Sequence, residues 1–372
     1  MGLKCGIIGL PNVGKSTIFN ALTSKGAPSE NYPFCTIDPN VGIVEVADKR
    51  LNELADYIKS KVIIPSVVEF VDIAGLVKGA SKGEGLGNKF LGHIRETNAL
   101  IHVVRCFEDS NVIHVEGKVD PIRDIETIEA ELILADHETV ERGLLRHKKQ
   151  ARSQSKESIA IVAMLEALNL HLQKLQAARS FPLKNFAGDM QAVEAAYQEL
   201  HLLSGKVVLY VCNVEEALAD GEQDNDLTKI VKARAQSEGA GVVIISGKIE
   251  AELSLLSSDE RDEMLQAMGM KETGLNRLAS KAFDILGLMN YFTAGEKEVR
   301  AWTIRKGAKA PEAAGVIHSD FERGFICAEV YTMDDVRQTK NRAQLKEKGL
   351  MRVEGKEYVV KDGDIMEFRF NV

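Results

Sequence analysis

The sequence is poor in cysteine. Cys5, Cys35, Cys106, Cys212 and Cys327 are the five in 372 residues, and no two stand at a paired spacing. That excludes a disulfide framework and a Cys-rich zinc site, and it fits a reducing compartment. Aromatics are scarce at 6%, yet hydrophobic residues make up 45%, ample for a buried core and far from a disordered or collagen-like chain. No apolar run reaches the roughly 18 residues that a membrane-spanning helix needs. Met1-Gly2-Leu3-Lys4-Cys5 runs straight into a strand-like stretch, with no signal-peptide pattern. A cytoplasmic protein without a membrane partner is therefore expected. Positive charge is also in deficit: the formal net charge is −8. No chain-wide basic field attracts nucleic acid, and no DNA partner is expected. Internal repeats and low-complexity tracts are absent.

What is present reads as three textures, in line with the two or three domains that the length suggests. Lys4 to Ile8, Val41 to Val46, Val67 to Val71, Leu100 to Val104, Val207 to Val211 and Val242 to Ile245 are short apolar runs of the kind that form buried strands. They alternate with helix-like stretches such as Ser16 to Leu22, which predicts an α/β layered, mostly parallel sheet from residues 1–125 and 201–285. Residues 126–200 contain almost no Gly or Pro. Ile161, Leu165, Leu168, Leu172 and Leu175 step by 4, 3, 4, 3, and Ile125, Ile128, Leu132 and Ala135 step by 3, 4, 3. These seams predict an inserted antiparallel coiled-coil hairpin. Residues 286–372 carry strand-like runs at Val299 to Ile304, Ile326 to Tyr331, Glu357 to Lys361 and Ile365 to Phe370, with a helical turn at Glu312 to Val316. That predicts a separate α+β unit.

Gly9-Leu10-Pro11-Asn12-Val13-Gly14-Lys15-Ser16 matches G-x-x-x-x-G-K-[ST] between a strand and a helix. In such a loop the backbone N–H groups of Asn12, Val13 and Gly14 curl around a β-phosphate, and the helix N-terminus adds its partial positive charge. Lys15 reaches the β- and γ-phosphates, Ser16 ligates Mg²⁺, and Thr17 adds a second hydroxyl. Asp72-Ile73-Ala74-Gly75 follows an apolar strand. D-x-x-G there places the Asp72 carboxylate near Mg²⁺ and the Gly75 amide near the γ-phosphate. Thr36, in a loop between the two motifs, is placed to ligate Mg²⁺ when a γ-phosphate is bound. Lys15, Thr36 and Gly75 are thus the expected catalytic set, and Ser16, Thr36 and Asp72 the metal ligands. A guanine-reading protein would carry N-K-x-D after a late strand. Here the strand leads to Asn213-Val214-Glu215-Glu216: the Lys is missing and the acid is Glu. Adenine, with a donor at N6 and acceptors at N1 and N7, has no use for the guanine-reading carboxylate. Asn213, the Val214 backbone and Ser246 are the expected base contacts.

With these motifs, with Asn31-Tyr32-Pro33-Phe34 and Thr36-Ile37-Asp38-Pro39-Asn40, and with Leu76-Val77 after Gly75, the chain resembles the YchF group of Obg-like ATPases over its whole length. The resemblance implies an OBG-type nucleotide domain, a coiled-coil insertion and a C-terminal TGS domain of β-grasp fold. It implies an ATPase that tolerates GTP, and a switch that associates with ribosomal RNA and proteins and regulates translation or a stress response. ATP and ADP are the expected small-molecule partners and the chain is expected to be a monomer.

Where relatives of this class carry a water-orienting Gln, this chain has Leu76, so slow intrinsic hydrolysis is expected, with stimulation by the ribosome or by K⁺. Asn12 either holds K⁺ beside the phosphates or only caps the loop. Gly79, Gly83, Gly85 and Gly87 suit a mobile switch, and His114 reads as a structural or solvated loop residue. Arg142, Arg146, Lys148, Lys149, Arg152 and Lys156 crowd the hairpin tip with no acid among residues 142–156, which marks a candidate RNA contact. The alternative to a switch is a nucleotide-gated protein-binding scaffold with incidental turnover.

Overall fold

The computed structural model describes residues 4–24, 40–73, 86–109, 117–150, 155–186, 190–339 and 341–371. Twelve strands fall in these segments: β1 Lys4–Ile8, β2 Val41–Glu45, β3 Val62–Ile64, β4 Val67–Asp72, β5 Ala99–Arg105, β6 Val207–Asn213, β7 Gly241–Ile245, β8 Leu288–Ala294, β9 Glu298–Arg305, β10 Phe325–Tyr331, β11 Arg352–Glu354 and β12 Ile365–Phe370. They form two sheets, ordered β2-β4-β1-β5-β6-β7 and β11-β10-β12-β8-β9-β3.

The first sheet is parallel apart from the antiparallel pairing of β2 with β4. β5 is buried at all seven positions, as a central strand covered on both faces must be. The covering helices include α1 Lys15–Ser24, α7 Asp226–Glu238 and α10 Gly274–Ile285. Between α1 and α7 run α2 Lys49–Ile58, α3 Leu86–Arg95, α4 Pro121–Gln150, α5 Lys156–Gln173 and α6 Met190–Glu199, and between α7 and α10 run α8 Gly247–Ser254 and α9 Ser258–Ala267. No helix among the described residues is long and apolar enough to cross a membrane.

The insertion departs from a plain two-helix hairpin. Ile125, Ile128, Leu132 and Ala135 of α4 pack into the core of the first sheet, while Ile133 and Val140, further round the same helix, join Ile161, Leu165, Leu168 and Leu172 of α5. A 30-residue helix has faces enough for two cores. A third helix, α6, adds Val193 and Ala196 to the second of them. Leu175 leaves the seam: α5 stops at Gln173, and Leu175 sits at φ 56° and 59% exposed.

The second sheet draws on more chain than residues 286–372. β3 pairs in parallel with β9, from Val62↔Glu298 to Ile64↔Arg300. On α2, capped by the Asp48 carboxylate accepting from the Arg50 N–H, Leu51, Leu54 and Ala55 pack against Phe292, Val299 and Ile365. Arg50 donates to Asp362 at 2.7 Å, and Arg337 clasps Glu53 with two bonds of 2.8 Å. Residues 49–64 therefore belong physically to the second sheet. Glu357 to Lys361 is not a strand and contributes one isolated bridge, Lys309↔Val359. The expected helical turn at Glu312 to Val316 is α11, Ala310–Ile317.

Candidate functional site

The turn between β1 and α1 is fixed by local chemistry. Gly14 has φ +93°, and a Cβ on it would lie 2.1 Å from the Asn213 side-chain nitrogen, so only glycine fits. Asn12 also takes a left-handed conformation, φ 63°, which asparagine tolerates better than most residues. α1 opens at Lys15 with no acidic side chain in its first turn, leaving its N-terminal dipole uncompensated for an anion.

The Lys15 ammonium donates to an Asp72 carboxylate oxygen at the end of β4. β1 leads into α1 and pairs with β4, with Ile7 in register with Asp72, so the sheet itself brings together two residues that are 57 positions apart. Ser16, one residue on, is exposed at the mouth of the loop. A serine hydroxyl and a carboxylate are the hard oxygen donors that Mg²⁺ accepts alongside phosphate oxygens and waters. The donor set fits that ion.

Asn213 ends β6 and is 5% exposed. Its amide donates to the Val13 carbonyl at 2.9 Å and accepts from the Gly247 N–H at 2.9 Å. The side chain ties the phosphate loop to the loop between β7 and α8. One amide proton and one carbonyl lone pair of Asn213 remain for a base edge. Val214 is buried and its N–H donates to Ile245. Ser246 is buried at the start of α8, and its Oγ has no hydrogen-bond partner among the described residues. An orphaned buried hydroxyl lining a cavity is a group awaiting a partner.

Lys15, Ser16, Thr17, Asn213, Val214 and Ser246 line one cavity of about 1220 Å³, large enough for a nucleoside triphosphate. Some of its walls were not legible as a motif. Phe107, Asp109 and Leu255 also face it, beside Lys248 of the expected base-side loop Ser246-Gly247-Lys248. Arg105, fully buried at the end of β5, donates to the Phe107 carbonyl at 3.1 Å and the Asp109 carbonyl at 3.2 Å, and its guanidinium lies 4.6 Å from the Phe107 ring centroid. It holds that wall in shape. The only signal in the sequence is an arginine closing an otherwise apolar strand. Lys248 donates to the Glu216 carboxylate across the cavity mouth, and that partner pushes the Lys248 ammonium above its usual range. The acid that stands where a guanine reader would have its Asp is thus engaged by a lysine.

The basic tip also differs from its sequence image. Arg146 lies 3.8 Å from Glu199 of α6, and Lys148 lies 2.7 Å from Glu166 of α5. Acids absent from residues 142–156 arrive from neighbouring helices. Thr36, Gly75, Leu76, Gly79, Gly83, Gly85, His114 and Arg152 lie outside the described residues.

A parallel sheet, a phosphate loop at a strand-to-helix turn, an acid at the next strand end and a base-side loop together define a P-loop nucleotide-binding protein of the GTPase class. Comparisons with known proteins sharpen this. A family model described as "50S ribosome-binding GTPase" matches residues 4–140, and the YchF-GTPase C-terminal model, described as a protein of unknown function, matches residues 288–371. The chain is 52% identical to the ribosome-binding ATPase YchF of Bacillus subtilis (strain 168) and 51% identical to that of Escherichia coli O157:H7, each over 373 residues and all of both chains. The solved structure of the Schizosaccharomyces pombe YchF GTPase superposes with a TM-score of 0.83 at 38% identity, covering 99% of this chain and 98% of that one. The chain belongs to the YchF family.

Proposed function

We propose that the chain binds ATP with Mg²⁺ in this cavity, hydrolyses it slowly, and associates with the ribosome according to the nucleotide it holds. The observation that carries the reading is Lys15, paired with Asp72, in the same cavity as the base-side groups Asn213 and Ser246. Lys15 exchanges the Asp72 carboxylate for β- and γ-phosphate oxygens when nucleotide enters. Ser16 and Asp72, with Thr36, would hold the metal, which when bound neutralises charge on those phosphates. Asn12, Val13 and Gly14 cradle the phosphates through their backbone, Thr17 adds its hydroxyl, and the Gly75 amide meets the γ-phosphate. K⁺ beside Asn12 is a second cation for the same charge.

The bacterial relatives are named ATPases and the fission-yeast structure a GTPase. ATP is favoured for this chain by the Lys248–Glu216 pair, which occupies the carboxylate that guanine would need. The division of labour is a nucleotide unit of residues 1–125 and 201–285, less the 49–64 segment, an insertion of residues 126–200 and a TGS-type unit of residues 286–372. The protein is cytoplasmic and monomeric, and the basic tip of α4 contacts ribosomal RNA.

Nucleotide competition and ribosome co-sedimentation in the ATP-analogue, ADP and empty states test the whole reading. Differing ribosome affinity across the three states is the expected result. Equal affinity would leave a scaffold with incidental turnover. Neutralising Arg146, Lys148 and Lys149 together should weaken sedimentation and flatten its salt dependence, because phosphate contacts release counterions. Unchanged sedimentation at low salt would remove the tip as the contact.

A further inference from the structure

β2 and β4 form a two-stranded ribbon at the edge of the first sheet. Among the described residues β2 has no other neighbour, and its register with β4 runs from Val41↔Val71 to Glu45↔Val67. Both nucleotide-sensing motifs adjoin one end of this ribbon. Thr36 stands five residues before β2 in the sequence, and Asp72 closes β4. The Asp72 N–H donates to the Asn40 carbonyl at 2.9 Å, so a displacement of Asp72 acts on both strands.

The other end of the ribbon is built into the second sheet. The Val46 N–H donates to the Ser66 carbonyl at 2.8 Å and closes the ribbon. The Ser66 hydroxyl accepts from the side-chain amide of Asn290 on β8 at 3.1 Å, and both residues are buried. Between Val46 and Ser66 lie α2, whose Leu51, Leu54 and Ala55 belong to the core of the second sheet, and β3, which pairs with β9. β1 pairs with β4 from Glu69 to Asp72, so Val67 and Val68 run on past that ladder towards Asn290. Six strand residues at about 3.3 Å each make the distance from Ser66 to Asp72 about 20 Å. An extended, hydrogen-bonded strand carries displacement along its length, and close-packed cores answer by changing between discrete arrangements.

Asp72 supplies two positions. Its carboxylate accepts from Lys15 in this structure, and in the proposed nucleotide-bound form it turns to the metal. The insertion has no such connection. It enters the chain between β5 and β6, on the other side of β1 from the ribbon. Arg179 fastens it to Glu129 of α4 and Glu238 of α7.

We propose that the β2–β4 ribbon is a relay, resting on the proposed Mg²⁺–nucleotide site, that passes the position of the Asp72 carboxylate to residues 49–64 and through them to the second sheet. The second-sheet unit, rather than the insertion, then presents the nucleotide state to the ribosome. Such coupling is reciprocal: a change at Asn290, which lies outside the nucleotide cavity, alters the choice between triphosphate and diphosphate.

The test is calorimetry on the full chain with Mg²⁺ and either a non-hydrolysable ATP analogue or ADP, without ribosomes. Asn290→Ala releases the Ser66 hydroxyl, and the ratio of the two affinities should change by about fivefold or more, the low end of allosteric coupling. Glu53→Gln with Arg337→Gln loosens α2 at an exposed ion pair and leaves the core intact, so it serves even where Asn290→Ala fails to fold. It should move the ratio by about twofold, as befits an exposed pair. Arg179→Ala loosens the insertion and should leave the ratio unchanged. In ribosome co-sedimentation Asn290→Ala should narrow the gap between the ATP-analogue and ADP states, while neutralising Arg146, Lys148 and Lys149 should lower both alike. An unchanged ratio in the Asn290 and Glu53/Arg337 variants would overturn the relay and leave the nucleotide site standing. A ratio moved as far by Arg179→Ala as by Asn290→Ala would also overturn it. A wild-type chain that binds neither nucleotide would overturn the site itself, and the relay with it.

Discussion

The Asn213 side chain donates to the Val13 carbonyl at 2.9 Å across 200 residues of sequence. The contact makes the phosphate loop and the base-side loop one mechanical unit. Asn213→Ala leaves the Val13 carbonyl and the Gly247 N–H buried without partners, at a cost of about 1–3 kcal/mol for each. Denaturant unfolding should show a loss of that order. Calorimetry should show weaker binding of ATP and GTP alike, because the loosened phosphate loop serves both nucleotides.

Base choice is a separate matter. Val214→Lys with Glu216→Asp rebuilds the guanine-reading pattern and releases Lys248. Competition binding should then move towards GTP by about tenfold or more, as a polar site rejects a base that leaves its carboxylate unpaired. An unmoved ratio would place the preference elsewhere in the cavity.

Lys15→Ala should abolish turnover, because it removes the charge aimed at the β- and γ-phosphates. Asp72→Asn removes the proposed Mg²⁺ ligand and leaves the largely buried Lys15 ammonium without its counter-charge. The melting temperature of the apo protein should therefore fall further for Asp72→Asn than for Lys15→Ala, since an uncompensated buried charge is the costlier defect.

His102 on β5 is buried, packs against Tyr210, and has no partner for its Nε2 among the described residues. Burial first, and the Arg179 charge second, push its imidazole down from 6.5 to about 3, against the opposing pull of Glu238. Between those limits the unfolded chain binds the extra proton. Stability from this group is intact above pH 6.5 and is lost as pH falls towards about 3. His102→Gln should flatten the stability profile by about 1.4 kcal/mol per pH unit at its steepest, as read by urea unfolding from pH 4 to 7.

Arg179, from the insertion, donates to Glu129 of α4 and to Glu238 of α7, and Arg234 completes the square with the same two acids. All four side chains are mostly buried. Arg179→Ala should destabilise the chain by about 3–5 kcal/mol in thermal unfolding, while nucleotide affinity stays near wild type because none of the four residues lines the cavity.

The parts of this architecture that were readable from sequence are those where local chemistry acts alone. β1, β4 and β5 are apolar runs that a two-sided cover demands, and the phosphate loop must have glycine at position 14. β8 was missed. Leu288–Ala294 contains Asn290, whose side chain donates to Ser66 and whose N–H donates to Asp362, and those partners are remote in sequence. The α4 seam was visible, but not that its successive faces serve two cores. The Phe107–Asp109 wall was hidden because Arg105 shapes it through backbone carbonyls, which carry no sequence signature.

The pairing of β3 with β9 has a consequence for synthesis. A ribosome adds about 5–20 residues per second, so the roughly 236 residues between Val62 and Glu298 take about 12–47 seconds to appear. For that interval Leu51, Leu54 and the β3 edge have left the tunnel without the strands that cover them. The nascent chain must hold residues 49–64 open, as a hairpin-like detour in a sheet that is otherwise assembling, until its last quarter is made. A chain stalled before residue 288 would carry a finished nucleotide cleft and a sticky, half-built flank.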